Sequence, residues 1–156
     1  TNADPNPEVI QAITEADKIV FSAGDLFTSI LPHLLVAGIK EAIATSKAKV
    51  ILILNLMSKK GETDSFKASD YLKHFIFYLG SSKRINYLIA NSNGLDPEVL
   101  KTYKKEGQEP VRVDEDTVKK ISQDIKIIKQ NLGVYYLLDH LFRHDAEKLA
   151  TTILSL

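Results

Sequence analysis

The chain has 156 residues, 44% of them hydrophobic and 26% charged, and its 20 Lys plus Arg balance 20 Asp plus Glu. That is ordinary for a soluble globular protein, and the neutral balance argues against a nucleic-acid or anionic-membrane surface as its main business. The absence of cysteine removes disulfides, thiolate chemistry and Cys-based metal sites, and fits a cytoplasmic location.

Helix and strand signals alternate along the chain. Asn6 and Pro7 open a helix over 7–16, with Val9, Ile10 and Ile13 at helical spacing. A short apolar strand covers 18–22. Leu35, Ile39, Ala42 and Ile43 share one face of a predicted helix over 34–46. Residues 50–54 form an unbroken apolar run rich in β-branched side chains, as expected for a strand covered on both faces. A polar loop, MSKKGETDSFKAS, fills 57–69. A helix over 70–79 ends at Gly80, and a third strand spans 85–90. The turn NSNGLD leads to Pro97, which opens a helix that Gly107 stops. After an extended piece at 110–113, the spacing of Val118, Ile121, Ile125 and Ile128 predicts a long helix over 114–131. A last strand is predicted at 134–138 and a closing amphipathic helix at 145–156.

Strands separated by helices imply an α/β layered domain with a mainly parallel sheet, one domain over residues 1–156. No apolar run reaches the roughly 18 residues that a membrane span needs. The N-terminal TNADPNPEVI has neither the basic start nor the apolar core of a signal peptide, and it lacks an initiator Met. The expectation is therefore a processed or shortened chain with no membrane span and no nucleic-acid partner. A homo-oligomer is left open.

The stretch 16–39, ADKIVFSAGDLFTSILPHLLVAGI, carries most of the functional signal. A buried strand runs into Ser22, Ala23 and Gly24, where side chains nearly vanish. Thr28 and Ser29 follow, with Pro32 just inside the next helical pattern. Free N–H groups at a helix start favour a phosphate or carboxylate, so this order of parts suits an anion pocket; an ordinary capped turn has the same pattern. In parallel sheets, ligands sit beyond the carboxyl ends of the strands. Three strand ends here carry Ser22, Asn55 and Asn91. Amides donate and accept at once and suit a sugar, base or phosphate edge, although Asn also ends strands simply by making turns.

Other constellations lie nearby. Glu62 and Asp64 in GETD could hold a Mg²⁺ ion or act as acid and base, or could belong to a solvated loop. In RHD, Arg143 could fork onto a phosphate and His144 with Asp145 could form a base and its orienter, while Asp145 also suits the N-cap of the last helix. His140 and His144 are four apart, a weak zinc signal without a third ligand. His33 and His74 read as packing or surface residues, and Lys104 with Lys105 as a solvated face. Tyr103 could stack on a base or anchor the core. No GxGxxG, Walker-type loop or nucleophile elbow is present.

Taken in order, Ala16-Asp17, residues 26–39, Asn55 to Met57, GETD at 61–64, YKKEGQEPV at 103–111 and RHDAEKLA at 143–150 resemble the C-terminal half of the CofD-like/YvcK-like family. That family includes 2-phospho-L-lactate transferases and bacterial gluconeogenesis factors that bind nucleotide sugars. The resemblance covers nearly the whole chain. It implies a Rossmann-like CofD fold, a nucleotide or nucleotide-sugar pocket at the strand ends, and an N-terminal portion elsewhere carrying a Gly-rich loop and an Asp-rich segment. By that resemblance Ser22, Gly24, Asp25, Thr28, Ser29, Asn55, Asn91, Tyr103 and Arg143 would line the ligand, with Glu62 and Asp64 toward Mg²⁺. Three expectations follow: a nucleotide-sugar-binding regulator of carbon or cell-wall metabolism, a Mg²⁺-dependent transferase of the phospholactate type, or a binding module with a vestigial pocket. The chain departs from the family at SAGD, 22–25, where the family has GPGS; Phe27 and His33 also differ. Asp25 would set a negative charge beside a phosphate, which costs binding unless a cation intervenes.

Overall fold

A computed structural model describes residues 4–156. Thr1 to Ala3, the start of the stretch read as lacking a signal peptide, lie outside the described residues.

Four strands form a parallel sheet in the order of their sequence: β1 (Lys18–Phe21), β2 (Lys49–Ile53), β3 (Tyr87–Asn91) and β4 (Lys126–Gln130). Successive side chains of a strand point to opposite faces, and both faces here are apolar. Val50, Leu52, Leu88 and Ala90 point into the larger core, which they share with Phe21, Leu72, Phe75 and Val118. Ile51, Ile53, Tyr87 and Ile89 point the other way, against Leu132, Leu149 and Ile153. This two-sided burial explains why residues 50–54 form an unbroken apolar run rather than an alternating one.

The larger core is roofed by α2 (Ile39–Thr45), α3 (Ala68–Leu79) and α5 (Glu115–Ile121), with α1 (Pro7–Glu15) packed on α2. The second face is closed by α6 (Ala146–Leu154). Asn6, Asp96 and Asp145 cap α1, α4 (Pro97–Lys105) and α6 by accepting backbone N–H bonds. A hairpin of β5 (Gly133–Tyr136) and β6 (Leu141–His144) stands apart from the main sheet. Gly133 is required there: a Cβ would lie 2.1 Å from the ring of Phe142, which is itself buried. Among the described residues, no single helix is long and apolar enough to cross a membrane.

Two predicted elements need correction. The expected helix over 114–131 ends at Ile121, and its second half is strand β4. Ile125 and Ile128 suit either period, but Ile127 and Ile128 pair with Leu88 and Ile89 on the open edge of β3. β-branched side chains pack well on such an edge. Ser122 marks the break, its hydroxyl donating to the Ser82 carbonyl at 3.1 Å. The expected helix over 34–46 is also split. Leu26–Ile30 is a π-helical turn, Leu31–Leu35 a 3₁₀ turn, and α2 begins only after Gly38, whose φ of 80° breaks the helical path.

Arg84 ties the sheet entrance together. Its guanidinium donates to the carbonyls of Ile43 at 2.7 Å, Ser46 at 3.0 Å and Ala48 at 2.7 Å, so it closes the C-terminus of α2 onto the start of β2. Asp114 does similar work for α3. It accepts from the Ser69 N–H at 3.0 Å and the Ser69 hydroxyl at 2.6 Å. Partial burial pushes the Asp114 carboxyl up, but those bonds outweigh it and hold its pKa below the ordinary value. A lowered folded pKa contributes stability that is complete above the ordinary carboxylate range and lost as pH falls through the folded value. Urea unfolding from about pH 6 down to about pH 3 should therefore show the wild type losing more stability than Asp114→Asn. Parallel pH profiles would contradict this.

Candidate functional site

Because all four strands run parallel, their carboxyl ends share one edge. A cleft of about 780 Å³ opens there, at the ends of β1 and β2, closed on its far side by α4 and the hairpin. Its size falls within the roughly 300–1,000 Å³ of small-molecule sites. Of the candidates from sequence, Ser22, Gly24, Asp25, Asn55, Tyr103 and Arg143 line it. Thr28 and Ser29 are exposed on the π-helical turn, away from the lining, and Asn91 is also outside it.

Each polar group has a definite commitment. Asn55 clamps the turn after β1: its amide oxygen accepts from the Gly24 N–H at 3.1 Å and its NH₂ donates to the Gly24 carbonyl at 2.9 Å. Asn91 makes the equivalent brace one strand over, accepting from Leu132 at 2.9 Å and Gly133 at 3.0 Å and donating to the Asn93 carbonyl at 2.8 Å. It holds the hairpin to the sheet. The Tyr103 hydroxyl accepts from the Phe142 N–H at 2.7 Å and joins α4 to the hairpin. Asp145 is spent on the cap of α6. Arg143 is exposed and enters no ion pair among the described residues.

The anion position at the start of the π-helical turn is filled by the protein itself. Glu62 accepts from the Phe27 N–H at 2.8 Å, so the loop carboxylate meets the free donor that the sequence pattern advertised. Lys59 bridges Asp25 and Glu62, lying 3.5 Å from the latter. The hydrogen bond to Asp25 and the two negative charges raise the Lys59 pKa. Lys59 is the cation that makes Asp25 tolerable at this rim. No linear pattern marks Lys59 for this role, because Asp25 lies 34 residues away and meets it only in the fold.

That arrangement bears on Mg²⁺. Glu62 faces a backbone N–H and the Lys59 ammonium, and Asp64 accepts from the Gly61 N–H at 2.7 Å. Two carboxylates already engaged by donors and a cation do not fit a divalent ion. Among the described residues no group of three His, Asp or Glu side chains is placed to hold one.

The family model described as 2-phospho-L-lactate transferase CofD matches residues 1–133. This chain belongs to the CofD family. Its relatives include the gluconeogenesis factor of Bacillus subtilis, 34% identical over 153 residues, covering 98% of this chain and 47% of that protein. The gluconeogenesis factor of Halalkalibacterium halodurans is 37% identical over 152 residues, covering 96% of this chain and 45% of that protein. A crystal structure of a Bacillus halodurans protein superposes with a TM-score of 0.90 at 36% identity, covering 97% of this chain and 47% of the other. The CofD-family chain thus spans about half the length of the curated relatives it matches.

Proposed function

We propose that this chain is the C-terminal part of a longer CofD-family protein of the gluconeogenesis-factor type, and that it binds a nucleotide sugar in the cleft beyond β1 and β2. The observation that carries the reading is the cleft itself. It combines a floor braced by the Asn55–Gly24 clamp with an exposed Arg143 in the lining that, among the described residues, enters no ion pair. A guanidinium fork is suited to a diphosphate. Relatives named gluconeogenesis factor favour a role in carbon metabolism over a phospholactate transferase. The engaged state of Glu62 and Asp64 points the same way.

The test is calorimetry of the full-length protein with UDP-glucose, UDP-galactose and UDP-N-acetylglucosamine. At least one should bind, and Arg143→Ala should weaken it by about 10-fold or more, the loss of one charge-assisted contact. Silence across the panel, or binding indifferent to Arg143, would contradict the reading.

A further inference from the structure

Asp25 stands where a capping carboxylate is expected, and its side chain does not cap. Its backbone opens the π-helical turn: the Asp25 carbonyl accepts from the Ser29 N–H at 2.8 Å and the Ile30 N–H at 3.1 Å. Its carboxylate makes no bond to the free N–H groups of that turn. Glu62 takes the Phe27 donor instead. The Asp25 carboxylate pairs with Lys59 through Oδ2, and both residues line the cleft. The Asp25 side chain is 40% exposed, and an ionised carboxylate accepts several hydrogen bonds at once. Charge at this rim is unbalanced, because the single Lys59 ammonium serves the two carboxylates of Asp25 and Glu62 and one negative charge is left over. Glu106 and Asp139 add further carboxylates to the lining, and Arg143 comes from β6. Such a rim accepts from O–H donors and repels a second anion.

We infer that Asp25 is a specificity-determining residue of the cleft: its carboxylate accepts a hydrogen bond from a sugar hydroxyl, and the charge of its rim excludes a sugar acid. This rests on the nucleotide-sugar reading and deepens it, because it names the sugar class as neutral. The diphosphate belongs with Arg143, so the rim after β1 receives a part of the ligand that carries donors and no charge. A uracil edge alternates carbonyl acceptors with a single N–H, whereas a hexose offers hydroxyls on every side. A rim made of acceptors therefore suits the sugar. A hexose and its uronic acid differ at C6 alone, a CH₂OH against a carboxylate, and the carboxylate brings neither a donor nor a tolerable charge to this rim.

Calorimetry of the full-length protein tests this by pairing each panel sugar that binds with its C6 acid: UDP-glucuronate, UDP-galacturonate or UDP-N-acetylglucosaminuronate. The wild type should prefer the neutral sugar by about 10-fold or more. Asp25→Asn removes a negative charge from the rim and should narrow that preference to about 3-fold or less. Lys59→Met removes the compensating cation and should widen it. The Asp25–Lys59 pair is half-exposed and contributes little to folding, so both variants are expected to fold. Damage to the turn would weaken both members of a pair alike, so their ratio separates recognition from structure. Equal binding of acid and neutral sugar by the wild type, or a ratio that either substitution leaves unmoved, overturns the inference. Absence of binding by every neutral sugar would instead bring down the nucleotide-sugar reading.

Discussion

Arg84→Met should lower the unfolding free energy by about 3 kcal/mol, the scale set by losing charged hydrogen bonds to partly buried carbonyls. The guanidinium holds Ile43, Ser46 and Ala48, three carbonyls that otherwise have to be satisfied at a helix end pressed against the sheet. Methionine preserves the aliphatic stem and removes every donor. Lysine should not rescue the loss, because a single ammonium cannot reproduce a planar fork spread over three acceptors. Urea unfolding of the two variants checks this. A loss below about 1 kcal/mol, the level of an ordinary surface change, would mean that water replaces Arg84 without penalty.

Asn55→Asp should be the most damaging single-atom change at the cleft, lowering stability by about 2–3 kcal/mol at neutral pH and abolishing measurable ligand binding. The introduced carboxylate can still accept from the Gly24 N–H, but it sets a second negative oxygen where Asn55 now donates to the Gly24 carbonyl. Protonation restores a donor, so the folded pKa of this carboxyl should lie above its unfolded value. The sign follows: relative stability is present below the unfolded pKa and is lost as pH rises through the folded one. Chemical unfolding at about pH 4 and about pH 7 should show the gap to wild type widening with pH. A gap that stays constant would mean that the Asn55–Gly24 pair does not hold the turn.

The parallel sheet was legible because its strands are buried on both faces. Residues 50–54 leave no polar position that an exposed sheet would show, and Gly80, Pro97 and Gly107 punctuate the helices at the expected places. The fourth strand was hidden by a coincidence of period. Ile121, Ile125 and Ile128 lie on a helical stripe, but the unpaired edge of β3 decides their fate, and that edge is invisible to local reading. The hairpin was half seen for a related reason: 134–138 carried a strand signal, while the returning strand, LFRH, gains its meaning only from pairing with Gly133–Tyr136.

At the site, residue type was readable and orientation was not. Ser22, Asn55 and Asn91 do end parallel neighbours, as their positions after apolar runs implied. Whether an amide faces the cleft or a backbone turn depends on the chain that crosses behind it. For Asn91 that chain is the Leu132–Gly133 link, which consumes the side chain. The Ser22–Asp25 turn offered an anion site on paper. Glu62, thirty-five residues beyond Phe27, had already supplied the anion. Lys59 then reconciles Asp25 with that carboxylate, a three-way charge balance no linear pattern contains.

The most direct measurement is a crystal structure of the full-length protein with the uridine nucleotide sugar that binds best. The ligand should occupy the cleft over Gly24 and Asn55, with the Arg143 guanidinium within hydrogen-bond distance of the diphosphate. A ligand seated elsewhere, with this cleft left to solvent, would contradict the assignment.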